Sequence, residues 1–327
     1  MLRRYQRTRR SCGSRQTATD ATRAALMRAR AADGVGRRGP SWDGHAAGGG
    51  QYSGPVPGRF RFAGSAAAVE RLMRVRLLPS SCGRPEAGPQ FLSSYLVDDA
   101  VVIDGGSIGL QADLELQRRV RHVFLTHAHL DHLASLPLLL ENAYVPGPHC
   151  VEVLASAGVL EAVRRDLLND RMWPDFFALS TAGDRFLTAT TIEPLVTVER
   201  AGLRITPVPV SHCTETLAMV VDDGTSCVAF AADTGPTELL WSHLADRTNV
   251  RAVFLECSFP ESLERLATAC GHLSPATFAT QVARLARGVR TLVVHRKAAH
   301  TATIAAELAA RALPGVELAE AGPIYDL

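Results

Sequence analysis

Residues 121 to 132 read Arg-His-Val-Phe-Leu-Thr-His-Ala-His-Leu-Asp-His, and this stretch decides the fold. Its first five residues form an apolar run of strand length, so the polar groups that follow stand where a strand ends. Side chains two apart share a face of a strand, so His127 and His129 point the same way in an extended chain. Asp131 and His132 are adjacent and require a turn. The stretch therefore predicts a strand-end loop that can aim four groups at two neighbouring centres.

The chemistry of these side chains indicates a metal site. Imidazole combined with carboxylate is the ligand set of Zn²⁺, Mn²⁺ or Fe, whereas Ca²⁺ and Mg²⁺ prefer more oxygen. A lone histidine is more often a hydrogen-bonded core or surface residue. Three histidines within six positions, with an aspartate between them, favour metal binding instead.

The pattern His127-x-His129-x-Asp131-His132 resembles the signature of the metallo-β-lactamase superfamily, whose members share a four-layer αββα fold. The longer run from His127 to Pro137 is similar to a narrower pattern, that of the class II 3′,5′-cyclic-nucleotide phosphodiesterases. The resemblance implies an α/β protein with an αββα sandwich over residues 71–327.

The same resemblance implies two divalent metal ions, with zinc expected and manganese or iron as alternatives. Three further residues at strand ends match the family's ligands, and His295 is preferred over His300 because it ends a strand. One metal is then held by His127, His129 and His212, the other by Asp131, His132 and His295, and Asp233 bridges the two. Asp104, before Gly105, matches an aspartate that supports the metal site by hydrogen bonding.

Asp131 and His272 are the expected catalytic residues, and the resemblance places a histidine in the position of His272 near the substrate phosphate. Residues 271–275, Gly-His-Leu-Ser-Pro, closely resemble the phosphodiesterase branch, and Ser274-Pro275 has the pattern of a helix start. The expected reaction is attack of a metal-bridging hydroxide on a cyclic phosphodiester such as cAMP or cGMP, giving a 5′-nucleotide. His272 would protonate the departing 3′ oxygen, with Glu256 as a neighbouring carboxylate that can raise its pKa.

Three other functions stay open. An RNA-processing endonuclease of the tRNA 3′-end type shares the two-metal site, but no long insertion resembles its tRNA-holding arm. The second alternative is another metallo-hydrolase of this fold, acting on a thioester or lactam. The third is a metal-binding protein without catalysis. The expected partner is a small cyclic nucleotide rather than nucleic acid, and homodimer formation stays open.

The chain divides into two segments of opposite charge. Residues 1–76 contain 16 arginines, no lysine and 4 acids, whereas the remainder has 19 basic and 29 acidic residues. We expect residues 1–70, rich in arginine and glycine, to be a disordered extension, because they lack the apolar surface that offsets chain entropy. The extension could be a tail that touches nucleic acid, a transit peptide, or an upstream segment without function.

Composition excludes some classes of protein. A hydrophobic content of 46% suffices for a substantial core, and no run of about 18 apolar residues predicts a membrane span. Seven cysteines are odd in number and lack the C-x-x-C spacing, which favours a reducing compartment over a disulfide framework. We therefore expect a cytoplasmic protein.

Overall fold

The computed structural model describes residues 72–80 and 90–327. The predicted disordered extension, residues 1–70, lies outside the described residues. None of the helices in the described part has the length and hydropathy needed to cross a bilayer.

The first sheet has seven strands within the described residues, four of them parallel. The strands β1, β2 and β14 are antiparallel to their neighbours, whereas β3 to β6 run parallel. In spatial order the strands are β14 (Ile324–Asp326), β1 (Arg74–Leu77), β2 (Tyr95–Val97), β3 (Val101–Ile103), β4 (His122–Phe124), β5 (Val151–Ala155) and β6 (Leu187–Thr191).

The second sheet also has seven strands in the described residues and is again mixed. Strands β10 to β13 are parallel and β7 to β10 are antiparallel. In spatial order they are β13 (Val316–Leu318), β12 (Arg290–Val294), β11 (Val250–Glu256), β10 (Cys227–Phe230), β9 (Leu217–Asp222), β8 (Leu203–Pro209) and β7 (Val198–Arg200).

Helices connect the strands and cover the sheets. Those before residue 200 are α1 (Leu114–Arg119), α2 (Leu130–Leu133), α3 (Leu136–Asn142), α4 (Ala157–Ala162), continued by a π-helical turn over Val163–Leu167, and α5 (Phe176–Leu179). The later ones are α6 (Leu239–Ala245), α7 (Glu264–Cys270), α8 (Pro275–Val282) and α9 (Thr301–Arg311). Short 3₁₀ turns occupy Ile108–Leu110, Glu261–Leu263 and Ala298–His300.

Three hydrophobic layers separate the elements. Tyr95 and Phe124 from the first sheet meet Phe230 and Phe254 from the second in a shared central layer. The neighbouring Val123 points the opposite way, into a layer between the first sheet and its helices. A third layer joins the second sheet to α6, α8 and α9. Strands buried on both faces between helices and a facing sheet confirm the predicted αββα sandwich.

Candidate metal centre

The loop after β4 carries four of the predicted site residues. Strand β4 ends at Phe124, and α2 starts at Leu130, so Asp131 and His132 lie in the first turn of a short helix. This turn separates the directions of neighbouring side chains, as the sequence pattern required. His127 and His132 are buried, with exposed fractions of 0% and 1%.

Residues of the first predicted metal group come together from both sheets. His127 Nε2 lies 3.0 Å from His129 Nδ1, and His212 Nε2 lies 3.3 Å from the same Nδ1 atom. Asp233 Oδ2 is 3.8 Å from His127 Nε2 and 4.0 Å from His212 Nε2. These four ligand atoms all lie within 4.8 Å of one another.

The second predicted group lies beside the first. His295 Nε2 is 3.1 Å from Asp131 Oδ2, and its Nδ1 is 3.4 Å from Asp233 Oδ1. His132 Nε2 is also 3.4 Å from Asp233 Oδ1. His300, the alternative to His295, belongs to neither group in the described residues.

Asp233 is shared by the two groups. Its Oδ2 faces the first group and its Oδ1 faces the second, so one carboxylate presents an oxygen to each. The carboxylate is only 2% exposed. It follows strand β10 and comes after Ala232, which has a positive φ of 57°. A residue with a Cβ atom rarely adopts this backbone conformation. Such backbone strain is common at functional sites.

Neighbouring polar groups orient the imidazoles. Asp104 Oδ2 accepts a hydrogen bond from His132 Nδ1 over 2.7 Å, and Asp104 also accepts from the hydroxyl of Thr126. The Thr126 hydroxyl in turn lies 2.9 Å from His127 Nδ1. When Nδ1 is held in this way, Nε2 is left to face the centre of the cluster, as is usual for metal-ligating histidines.

The chemistry of the cluster fits divalent cations. His132 Nε2 and Asp233 Oδ1 are buried and have no hydrogen-bond partner among the described residues, although they face each other. Burial and the neighbouring imidazole of His132 lower the pKa of His127 to about 2, which keeps His127 in the neutral, metal-binding form. Burial opposes the charged form of His132, but the carboxylates of Asp233 and Asp104 raise its pKa well above the usual value. The pocket thus has the negative potential that cations would neutralise.

A second buried pair stands next to the cluster. His272 Nδ1 donates to Glu256 Oε1 over 2.5 Å, and the His272 ring centroid lies 4.9 Å from that of His212. Burial disfavours the His272 cation, but the hydrogen bond and charge of Glu256 raise its pKa above the ordinary value. Glu256 also accepts from the backbone N–H of Thr234, directly after Asp233. One carboxylate therefore connects His272 to the loop of the shared aspartate.

Several contacts at the site were missed by sequence reasoning. Ser258 Oγ lies 3.0 Å from His295 Nδ1, and Gly271 O accepts from His212 Nδ1 over 2.9 Å. Lys297 Nζ is 3.6 Å from Asp131 Oδ2. Ser258 and Gly271 carry no spacing signal, because a hydroxyl and a backbone carbonyl are found on residues of many other kinds.

Comparisons with known proteins agree with this architecture. The model of the family described as "Beta-lactamase superfamily domain" matches residues 107–296. Unliganded yeast PDE1 is similar over 78% of this chain and 99% of its own, with 16% identity and a TM-score of 0.65. YhfI from Bacillus subtilis, a metallo-beta-lactamase fold protein, is similar over 78% of this chain and 99% of its own, with 20% identity and a TM-score of 0.60.

Zn²⁺-bound PqqB from Methylobacterium extorquens is similar over 78% of this chain and 100% of its own, with 19% identity and a TM-score of 0.56. A search of curated proteins returns no match. At these identities the structural likenesses concern the fold. The family match covers more than half of the chain and includes the first six predicted metal ligands and, at its end, the seventh. This chain therefore belongs to the family described as "Beta-lactamase superfamily domain".

Proposed function

We propose that this protein is a metal-dependent phosphodiesterase with two metal ions, and that it hydrolyses 3′,5′-cyclic nucleotides to 5′-nucleotides. Zinc is the proposed metal, with manganese or iron as alternatives. One ion would be held by His127, His129 and His212, the other by Asp131, His132 and His295, and Asp233 would bind both. When bound, two such ions lower the pKa of a water molecule toward about 7 and neutralise charge on the phosphoryl oxygens.

The position of Asp233 is the observation that carries the proposal of two ions. Each of its oxygens faces a different group of imidazoles, and one of them lacks a hydrogen bond within the described residues. A carboxylate that served only to accept hydrogen bonds would be expected to have both oxygens satisfied, because an unpaired buried oxygen is costly.

The pairing of His272 with Glu256 supports phosphodiester hydrolysis in particular. The 3′ oxygen of a cyclic nucleotide leaves as a basic alkoxide and requires a proton. Glu256 holds His272 Nδ1, which leaves Nε2 as the nitrogen that can donate this proton. The hydrogen bond and charge of Glu256 raise the pKa of His272, which favours the protonated form that a general acid needs. Lys297, beside Asp131, adds a positive charge that can attract the phosphate.

The fold alone does not select a substrate, since yeast PDE1, YhfI and PqqB all share it. The choice of a cyclic nucleotide rests on the resemblance of residues 127–137 and 271–275 to the phosphodiesterase branch, together with the His272–Glu256 pair.

The test is to load the full-length protein with zinc or manganese, determine its metal content, and assay cAMP, cGMP, bis(p-nitrophenyl)phosphate and a precursor tRNA. We expect about two ions per chain and release of 5′-nucleotide from a cyclic substrate. Cleavage of precursor tRNA without turnover of cAMP or cGMP would overturn the substrate assignment. Stoichiometric metal binding with no hydrolysis of any diester would overturn the enzymatic one.

A further inference from the structure

The loop of His212 packs against the end of helix α7 at a single glycine. Gly271 caps this helix in the left-handed conformation, with φ 69° and ψ 44°. Its N–H and that of His272 bond back to the last turn of the helix. Glycine adopts this conformation without the steric cost that a Cβ atom imposes.

The carbonyl of Gly271 determines the tautomer of His212. It accepts a hydrogen bond from His212 Nδ1 over 2.9 Å. A carbonyl oxygen can only accept, so the proton of a neutral His212 must be on Nδ1. The unprotonated Nε2 then faces His129 Nδ1 at 3.3 Å and Asp233 Oδ2 at 4.0 Å. This is the nitrogen that a metal ion in the first group requires.

Absence of a side chain at position 271 permits this approach. A Cβ atom there would lie 2.9 Å from His212 Cα and 3.0 Å from Cys213 N. Both are backbone atoms, so a side chain at position 271 would displace the His212 loop rather than rotate away. The residue that follows Gly271 is His272, held by Glu256.

We propose that Gly271 is a positioning residue that sets the tautomer and location of His212 and joins it to His272. The inference rests on the metal centre of the proposed function, and it adds a residue that binds neither metal nor substrate. Gly271 should therefore affect the metal affinity of the first group only. The imidazoles of the second group have other hydrogen-bond partners, so its metal affinity should not change.

The test compares Gly271→Ala with Gly202→Ala. Gly202 also has a positive φ, of 81°, but a Cβ atom at that position meets nothing within 4 Å. Both variants therefore introduce the same kind of backbone strain, and only one displaces His212. A third variant, Gly271→Asn, keeps the Cβ contact while better tolerating the left-handed conformation, so it serves if the alanine variant folds poorly.

Two measurements give the outcome. Co²⁺ titration followed by visible spectroscopy should show binding to one of the two sites weakened about 10- to 100-fold in both Gly271 variants, the range for losing an outer partner of a ligand. Gly202→Ala should bind as the wild type does. In metal-free protein, nitrogen-15 NMR of the histidines should show His212 protonated on Nδ1 in the wild type and a mixed tautomer in the Gly271 variants.

Wild-type Co²⁺ affinity and an unchanged His212 tautomer in the Gly271 variants would overturn this inference, as would equal weakening in Gly202→Ala. The NMR measurement needs neither metal nor substrate. If the wild type binds two metals but hydrolyses no diester, the proposed function fails while the role of Gly271 is still decided.

Discussion

Two clusters of polar side chains in this molecule satisfy their carboxylates in different ways. Glu152 on β5 accepts from Arg200 through both oxygens, from the Thr190 hydroxyl and from His122 Nδ1, at 2.6 to 2.9 Å. Asp233 is more deeply buried, yet its Oδ1 has no hydrogen bond among the described residues. In the first cluster, donors of the protein itself form hydrogen bonds to both carboxylate oxygens of Glu152. The second is surrounded by imidazoles that each turn a ring nitrogen toward it, Nε2 for His127, His132 and His212 and Nδ1 for His295, which is the arrangement that a cation completes.

The largest expected effect comes from Asp233→Asn. The substitution keeps the shape of the side chain but removes its charge, so at least one metal should be lost and turnover should be lost with it. The metal-free variant should still fold, because asparagine has the shape of aspartate and Oδ1 makes no hydrogen bond there. Metal analysis, turnover and thermal unfolding measure these quantities. The control is Asp223→Asn, where the side chain caps a turn remote from the cluster. Full metal content and activity in Asp233→Asn would refute the shared-ligand assignment.

The next effect concerns His272, which adjoins the cluster but is not among the seven proposed ligands. His272→Ala should retain both metals and lower turnover of cAMP by about 10² to 10⁴, the range for losing a general acid. The loss should be smaller for bis(p-nitrophenyl)phosphate, because p-nitrophenolate leaves without a proton. His149→Ala, at an exposed histidine, is the control. Equal losses for the two substrates would indicate phosphate positioning instead of proton donation.

A smaller effect is expected from Asp104→Asn. Asp104 orients His132 by accepting its Nδ1–H, so the second metal should bind about 10- to 100-fold more weakly. The amide oxygen of asparagine can still accept from the hydroxyl of Thr126, which lies against His127, so the first metal should be retained. Asparagine tolerates the positive φ of 64° at this position, so the backbone should not change. Co²⁺ titration measures the two affinities. Asp113→Asn, a helix cap that asparagine can also provide, should bind both ions normally. Weakening of the first site alone would contradict the grouping of the ligands.

Substitution in the Glu152 cluster should lower stability and leave metal binding unchanged. Glu152→Gln should reduce the free energy of unfolding by about 1 to 3 kcal/mol at pH 7 and leave metal content and turnover unchanged. The hydrogen bond from Arg200 lowers the pKa of Glu152 from 4.5 to about 2. Its stabilisation is therefore complete above pH 4.5 and is lost as the pH falls from 4.5 toward 2. Denaturant unfolding of wild type and variant at several pH values should show their difference shrinking over that interval. A constant difference would mean that the charge of Glu152 is not responsible.

The smallest effect is expected from removal of residues 1–70. If this basic segment is the disordered extension that its composition predicts, its deletion should change neither the melting temperature nor the turnover of cAMP. Both are compared with the full-length chain. A fall in turnover alone would implicate the segment in substrate binding, and a lower melting temperature would show that it packs on the domain.

Local sequence was sufficient for several features. The run from Arg121 to His132 predicted a strand, a turn and a cluster of imidazole and carboxylate side chains, because strand periodicity and the turn act over a few residues. Ser274 and Pro275 predicted the start of α8, and the structure shows the capping box there with Thr277. The αββα fold followed from the resemblance that these motifs carry. By contrast, β13 and β14 are as short as β4 but lie in no apolar run like that of residues 121–125, so no sequence pattern identifies them.

Only the tertiary structure decided how the distant residues meet. Periodicity specifies the face of a strand on which a side chain lies, but not which strand ends adjoin across two sheets. His212, Asp233 and His295 come from the ends of three strands of the second sheet, and they face a loop of the first. That each oxygen of Asp233 faces a different group depends on this docking. The same is true of the carbonyl of Gly271, because a backbone atom that orients His212 across 59 positions of the chain has no counterpart in side-chain pattern.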